Sequence, residues 1–115
     1  MEHEIKKETR PWGEFVQYVF NEKCTVKIIT VKKGEELSLQ SHENRDELWV
    51  AIDNDLKVEL DGREIFPKRE DIVFIPRKSK HRLSAPNKKG RILEVSFGDF
   101  DEKDEIRYED KYGRK

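Results

Sequence analysis

The feature that most restricts the fold of this chain is a period of two. Apolar residues recur at alternate positions in short runs such as CTVKIITV, LKVEL and REIF, and each run ends in a cluster rich in Gly, Pro, Asp, Asn or Lys. Alternation sends successive side chains to opposite faces, so each run predicts a strand. No window carries a convincing helical period. Between LKVEL and REIF stands Asp61-Gly62, a pair suited to the two-residue type I′ turn of a hairpin. ELWVAID is apolar on both parities, with Trp49 and Ala51 on one side and Leu48, Val50 and Ile52 on the other. Such a strand needs cover on both faces, from a second layer or a partner subunit. DIVFIP, KHRLSAP and RILEVSFGDF continue the series as three further strands, the first of them expected to be buried, and Phe15 to Phe20 opens it. The prediction is an all-β sandwich or barrel.

A chain of 115 residues supports one modest core, so residues 1–115 are expected to form a single domain. Residues 1–9 are expected to be a charged N-terminal extension, with His3 unstructured, and residues 101–115 a charged, solvated tail. Charged residues make up 43% of the chain, yet the net charge is only −1. That balance leaves no basic footprint for nucleic acid or a membrane surface. Cys24 is the only cysteine, which excludes an internal disulfide and suits a reducing compartment, with Cys24 itself a small semi-buried apolar residue. MEHEIKKETR lacks the apolar stretch of a signal peptide, and no run reaches the ~20 apolar residues of a spanning helix. The expectation is a soluble, cytoplasmic protein.

The chemistry concentrates in GEELSLQSHENRDELW, residues 34–49. Gln40 and His42, two apart on a strand, reach one spot from one face, and Glu47 returns to it across a short turn. His81, in FIPRKSKHRL, is the best candidate for a fourth ligand. Four N/O ligands of this kind suit one divalent metal ion: zinc, manganese, cobalt, nickel or iron. In CTVKIITV, Lys27 shares its face with Ile29 and Val31. A lysine placed so either snorkels to solvent or, if the face lines a cavity, meets an anionic substrate. Trp12 is expected to be a core or dimer-contact aromatic.

These residues carry a resemblance. Gly34, Gln40, His42 and Glu47 follow the spacing of the first cupin motif, and Pro76 and His81 match the second. Within cupins the chain is most similar to the type II mannose-6-phosphate isomerase domain, which is often fused behind a mannose-1-phosphate guanylyltransferase. The likeness rests on RPWG (Arg10 to Gly13), LSLQ, Arg45-x-Glu47-x-Trp49, the stretch Ile75 to Leu83, and the YGR ending within Ile106 to Arg114. The chain departs from the pattern at Asn44 and Leu48, which stand where histidine is common in the family, and at Ala85, where asparagine is common. Glu70 and Lys78 occupy usual glycine positions, so Lys78 is expected at a strained positive φ.

The resemblance implies a double-stranded β-helix of the jelly-roll type, standing alone without the guanylyltransferase. It implies a metal-dependent isomerase interconverting mannose 6-phosphate and fructose 6-phosphate, with Gln40, His42, Glu47 and His81 as metal ligands. Arg45 and Arg82, with Lys27, become candidates for the substrate phosphate, and Lys27 and Glu94 for proton transfer. The expected partners are a small sugar phosphate and a second copy, as a homodimer joined through sheet edges or the N-terminal strand. A non-catalytic cupin that binds a metal or sugar phosphate is the alternative. A cupin oxygenase fits less well, because Gln40 in the first ligand position favours Lewis-acid work over a histidine-rich iron site.

Overall fold

The computed structural model describes residues 3–114, which contain eleven strands and no helix. β1 (Lys6–Arg10) and β2 (Gly13–Gln17) form a hairpin that pairs only with itself. The body is two facing antiparallel sheets. One has the order β3-β10-β5-β8, from Cys24–Val31, Gly90–Phe97, Glu47–Ala51 and Ile72–Ile75. The other has the order β11-β4-β9-β6-β7, from Ile106–Glu109, Leu39–Ser41, His81–Ser84, Lys57–Leu60 and Arg63–Ile65.

The alternation read from the sequence sets which residues face inward. β6 and β7 turn on Asp61 and Gly62, both at positive φ (47° and 82°), as a type I′ turn requires. β5 is buried at all five positions. Its inward Trp49 and Ala51 join Val31, Leu56, Val58, Leu60, Val73, Ile75, Leu83, Ala85 and Ile92 in the core between the sheets. Its outward Leu48 and Val50 pack with Val95 and Phe97 on the other face, with Tyr18, Val19, Cys24 and Leu93 against them. Gly90 allows the close approach of the fully buried Leu56, whose side chain occupies the space a Cβ would need.

Four segments differ from the sequence expectation. The strand expected from Phe15 to Phe20 runs instead from Gly13 to Gln17 as β2, and Lys6–Arg10, expected to belong to a charged extension, pairs with it as β1. β8 is half exposed, with Ile72 and Phe74 facing outward at the sheet edge. His3 is an ordered, buried side chain: its ring stacks on Phe97 at 3.7 Å, and its nitrogens lie 3.3 Å from Glu22 and Asp46. The C-terminal charge run forms β11 instead of a solvated extension. It pairs with β4, and Tyr108 Oη meets Ser41 Oγ at 2.8 Å.

Candidate metal centre

The inward rows of the strands change character at one level of the barrel. On β3 the row runs from Val31 and Ile29 to Lys27, on β10 from Ile92 to Glu94 and Ser96, and on β9 from Leu83 to His81. The apolar end is core; the polar end faces a cavity of about 310 Å³ lined by Lys27, Gln40, His42, Arg45, Glu94, Phe100, Glu105, Arg107 and Arg114, among others. Register brings the polar residues together. Lys27, Glu94 and Trp49 lie side by side across β3, β10 and β5, and Gln40 lies opposite His81 across β4 and β9.

Glu47 is the centre of this end. Its carboxylate, 1% exposed, accepts hydrogen bonds from Arg45 Nε (2.8 Å), Trp49 Nε1 (3.2 Å) and Ser96 Oγ (3.3 Å). Its two oxygens also lie 3.8 Å from His42 Nδ1 and 3.8 Å from His81 Nε2. Each of His42, Glu47 and His81 offers a ligand atom, and these atoms lie within 4.8 Å of one another.

The donor set fits a metal ion. His81 Nδ1 meets the Ser79 carbonyl at 3.0 Å and donates to it, which fixes the tautomer and leaves Nε2 as a lone pair. That Nε2 is buried and has no hydrogen-bond partner among the described residues. A buried acceptor without a donor is costly, and a cation would satisfy it. Burial also pushes the His81 imidazole below its ordinary 6.5, against the pull of Glu47. The ring is therefore neutral at pH 7, as ligation requires. Gln40 is buried on the same face, two residues before His42, and its amide oxygen is the fourth N/O ligand available.

Of the remaining expected residues, the cavity gathers Lys27, Arg45 and Glu94. Burial, reinforced by Glu47, raises the Glu94 carboxyl to about 7. Lys27 makes no ion pair among the described residues, and its Nζ sits 3.9 Å from the centroid of the Phe100 ring. Arg45 is buried and committed to Glu47 and the Asp101 carbonyl, with its guanidinium 4.5 Å from the same ring. Arg82 is not in the cavity. Next to inward His81 on a strand it must face the other way, and there it donates to the Leu37 carbonyl and pairs with Glu36, Glu59 and Glu109.

Asn44 and Leu48 also point elsewhere. Leu48 belongs to the outer apolar face, and exposed Asn44 lies in the loop whose backbone N–H groups donate to Asp104. Sequence reasoning missed Ser79 and the residues that the C-terminal segment brings to the cavity. Glu105 lies 3.4 Å from His42 Nε2, and that hydrogen bond, against burial, holds its carboxyl below the ordinary range. Phe100, Arg107 and Arg114 form the neighbouring wall.

Paired antiparallel sheets closing on a polar end with inward His, Glu and Gln define a cupin, a double-stranded β-helix. A cupin protein from Bacteroides fragilis superposes with a TM-score of 0.60 at 20% identity, over 68% of this chain and 70% of that one. The chain belongs to the family described as Mannose-6-phosphate isomerase C-terminal, which matches residues 1–110. It is 37% identical over 116 residues to the mannose-1-phosphate guanylyltransferase ManC of Salmonella typhimurium, covering 98% of this chain and 24% of that protein. It is 38% identical over 107 residues to the alginate biosynthesis protein AlgA of Pseudomonas aeruginosa, covering 91% and 22%. The chain thus spans about a quarter of the length of these relatives.

Two outcomes are expected of the isolated protein. His81→Ala should remove the bound divalent ion, counted by mass spectrometry after dialysis against zinc or manganese, while circular dichroism stays that of the wild type. Unchanged stoichiometry would take His81 out of the site. In the metal-free protein the folded Glu94 carboxyl keeps its proton to about pH 7, whereas in the unfolded chain it ionises near 4.5. The native state then binds more protons, so the Glu94 contribution to stability falls as pH rises through this window. Glu94→Gln should exceed the wild type in stability by roughly 1–3 kcal/mol at about pH 8, the gap closing near pH 5. Urea titrations at the two pH values check it, and a gap independent of pH would contradict the raised pKa.

Proposed function

We propose that this chain is a metal-dependent aldose-ketose isomerase acting on mannose 6-phosphate and fructose 6-phosphate, with Gln40, His42, Glu47 and His81 as the ligands of one divalent ion. The observation that carries the reading is the buried, unpartnered His81 Nε2, which with Glu47 and His42 brings three ligand atoms within 4.8 Å of one another. Membership of the mannose-6-phosphate isomerase C-terminal family supports the choice of substrate.

A divalent ion at the site would supply positive charge to the carbonyl and hydroxyl oxygens of the two reacting carbons. The protein's own groups supply the rest. Isomerisation moves one proton between adjacent carbons, and a group that ionises near the working pH can both take and return it. Glu94 lines the same cavity and is the candidate for that role, its carboxyl raised to about 7 by burial in the metal-free protein. Lys27, directly across from it on β3, stabilises the carboxylate form and is the cavity cation free to meet an anionic substrate. Arg107 and Arg114 add positive charge from the C-terminal segment, although each also pairs with a neighbouring carboxylate. Arg45 orients Glu47 and is a positioning residue. Arg82, held by three carboxylates on the opposite face, is left out of the substrate contacts. The cavity is at the lower end of the ~300–1,000 Å³ usual for small-molecule sites, a size that suits a single phosphosugar.

Neither Asn44 nor Leu48 lines the cavity, so the departures from the family pattern at these positions remove no cavity residue. No helix among the described residues is long and apolar enough to cross a membrane.

A coupled assay scoring fructose 6-phosphate from mannose 6-phosphate tests the reading. Turnover should vanish on chelation and return with a single added divalent metal, and Glu94→Gln should lower kcat by about 10²–10⁴-fold with metal stoichiometry unchanged. A folded, metal-loaded protein without turnover would replace the isomerase by a module that binds metal or sugar phosphate.

A further inference from the structure

The end of the barrel away from the metal centre carries a second pair of cavities. Thr30 and Arg91 pair in register on β3 and β10, three residues beyond Lys27 and Glu94 in the direction of the apolar core. Around them the β5–β6, β7–β8 and β9–β10 connections converge. One cavity, of about 610 Å³, is lined by Arg69, Lys88, Lys89 and Arg91 together with Asp53 and Asn54. The other, of about 540 Å³, is lined by Phe66, Pro67 and Pro86 with the fully buried Leu56. Asn54 and Lys88 line both, so the cationic space and the apolar space adjoin. None of these residues lines the metal cavity.

Charge is segregated here in a way that the net charge of −1 conceals. With Lys68, the two cavities hold five cations against the carboxylates of Asp53 and Asp55. Both carboxylates are already matched: Arg91 donates to Asp53 at 2.8 and 3.1 Å, and Lys88 lies 3.2 Å from Asp55. Arg69, Lys89 and Lys68 have no acidic partner among the described residues. Next to this surplus Phe66 is 63% exposed. The loops that carry these side chains are tied together. Asn54 Oδ1 accepts the Arg69 N–H at 2.8 Å, and the Glu70 N–H donates to the Ala51 carbonyl at 2.7 Å. A ligand therefore meets a site whose backbone is already ordered.

We propose that this end of the barrel binds a nucleoside polyphosphate, its base on Phe66 and its phosphates among Arg69, Lys88, Lys89 and Arg91. A ligand that fills both cavities must be planar and apolar at one end and multiply anionic at the other. A base stacks on an aromatic face whatever its sequence identity, and guanidinium and ammonium groups match phosphate oxygens. A single nucleotide fits better than a nucleic-acid strand. A strand needs successive stacking surfaces along a groove, and Phe66 is the one aromatic lining either cavity. Each cavity lies within the ~300–1,000 Å³ of small-molecule sites. Because the two ends share no lining residue, this site stands independently of turnover at the metal centre.

Two-dimensional NMR of the whole protein, titrated at low salt with ATP, with inorganic tripolyphosphate and with adenosine, tests this. ATP should shift the backbone amides of Asn54, Phe66, Arg69, Lys88 and Lys89 and leave those of His42 and His81 in place. It should bind roughly tenfold more tightly than tripolyphosphate, the difference being the stacked base, and adenosine should bind more weakly than ATP. Lys89→Glu should weaken ATP about tenfold or more. Phe66→Ala should bring ATP down to the affinity of tripolyphosphate while leaving tripolyphosphate binding unchanged. Both side chains are exposed, so the remaining amide signals should stay those of the wild type. If Lys89→Glu perturbs the fold, Lys89→Gln should show a smaller loss of the same kind. Any of four results would overturn the proposal: no shifts with millimolar ATP, shifts confined to the metal cavity, ATP affinity unaltered by the Lys89 variants, or equal affinities for ATP and tripolyphosphate.

Discussion

The carboxylate of Glu47 is the group on which the functional end of this barrel depends. Taking an ion out of water costs several kcal/mol, and Arg45, Trp49 and Ser96 offset that cost with three donated hydrogen bonds. The consequences spread through those partners. Trp49 links the carboxylate to the core, and Arg45 links it to the Asp101 carbonyl and the Phe100 ring, which fixes the start of the C-terminal segment over the cavity. Removing one partner of a buried ion pair costs about 3–5 kcal/mol, so Arg45 is a structural requirement of the site as well as an electrostatic one. With Glu47 so held, two imidazoles converge on its oxygens.

The same strands build the core and the site. Each inward row is apolar at one end and polar at the other, so the packed sandwich itself positions the candidate ligands. Lys78 illustrates the local cost of this arrangement. It sits at φ 70°, where a glycine would be unstrained, and its N–H donates to the His42 carbonyl at 2.6 Å. The strained turn therefore anchors the backbone of a candidate ligand residue.

Much of this was legible in the sequence, for reasons that can be traced to particular residues. Parity placed Lys27 with Ile29 and Val31, and the spacing of Gln40, His42 and Glu47 placed three groups at one spot. Asp61-Gly62 announced its hairpin because few other pairs accept two positive φ values in succession. Parity also turns Arg82 away from His81, its neighbour on the strand, which is why its charge pairs with Glu36, Glu59 and Glu109 instead of facing the cavity. The C-terminal segment was harder to read. Its charges are those of a solvated tail, and what draws it onto the barrel is the exchange of those charges with backbone N–H groups at Glu43 and Asn44 and with His42, contacts more than 60 residues apart in sequence or close to it. His3 was hidden for the same reason, since only the fold brings Glu22, Asp46 and Phe97 to it.

The proposed role of this polar end of the barrel is to hold a cation. Anomalous diffraction from crystals grown with zinc or manganese, recorded at the absorption edge of the metal, tests it most directly. One peak is predicted inside the barrel, about 2.0–2.2 Å from nitrogen or oxygen atoms of His42, Glu47 and His81, with Gln40 beside it. A barrel without a peak, or a metal bound only elsewhere on the protein, would show that His42, Glu47 and His81 hold no ion.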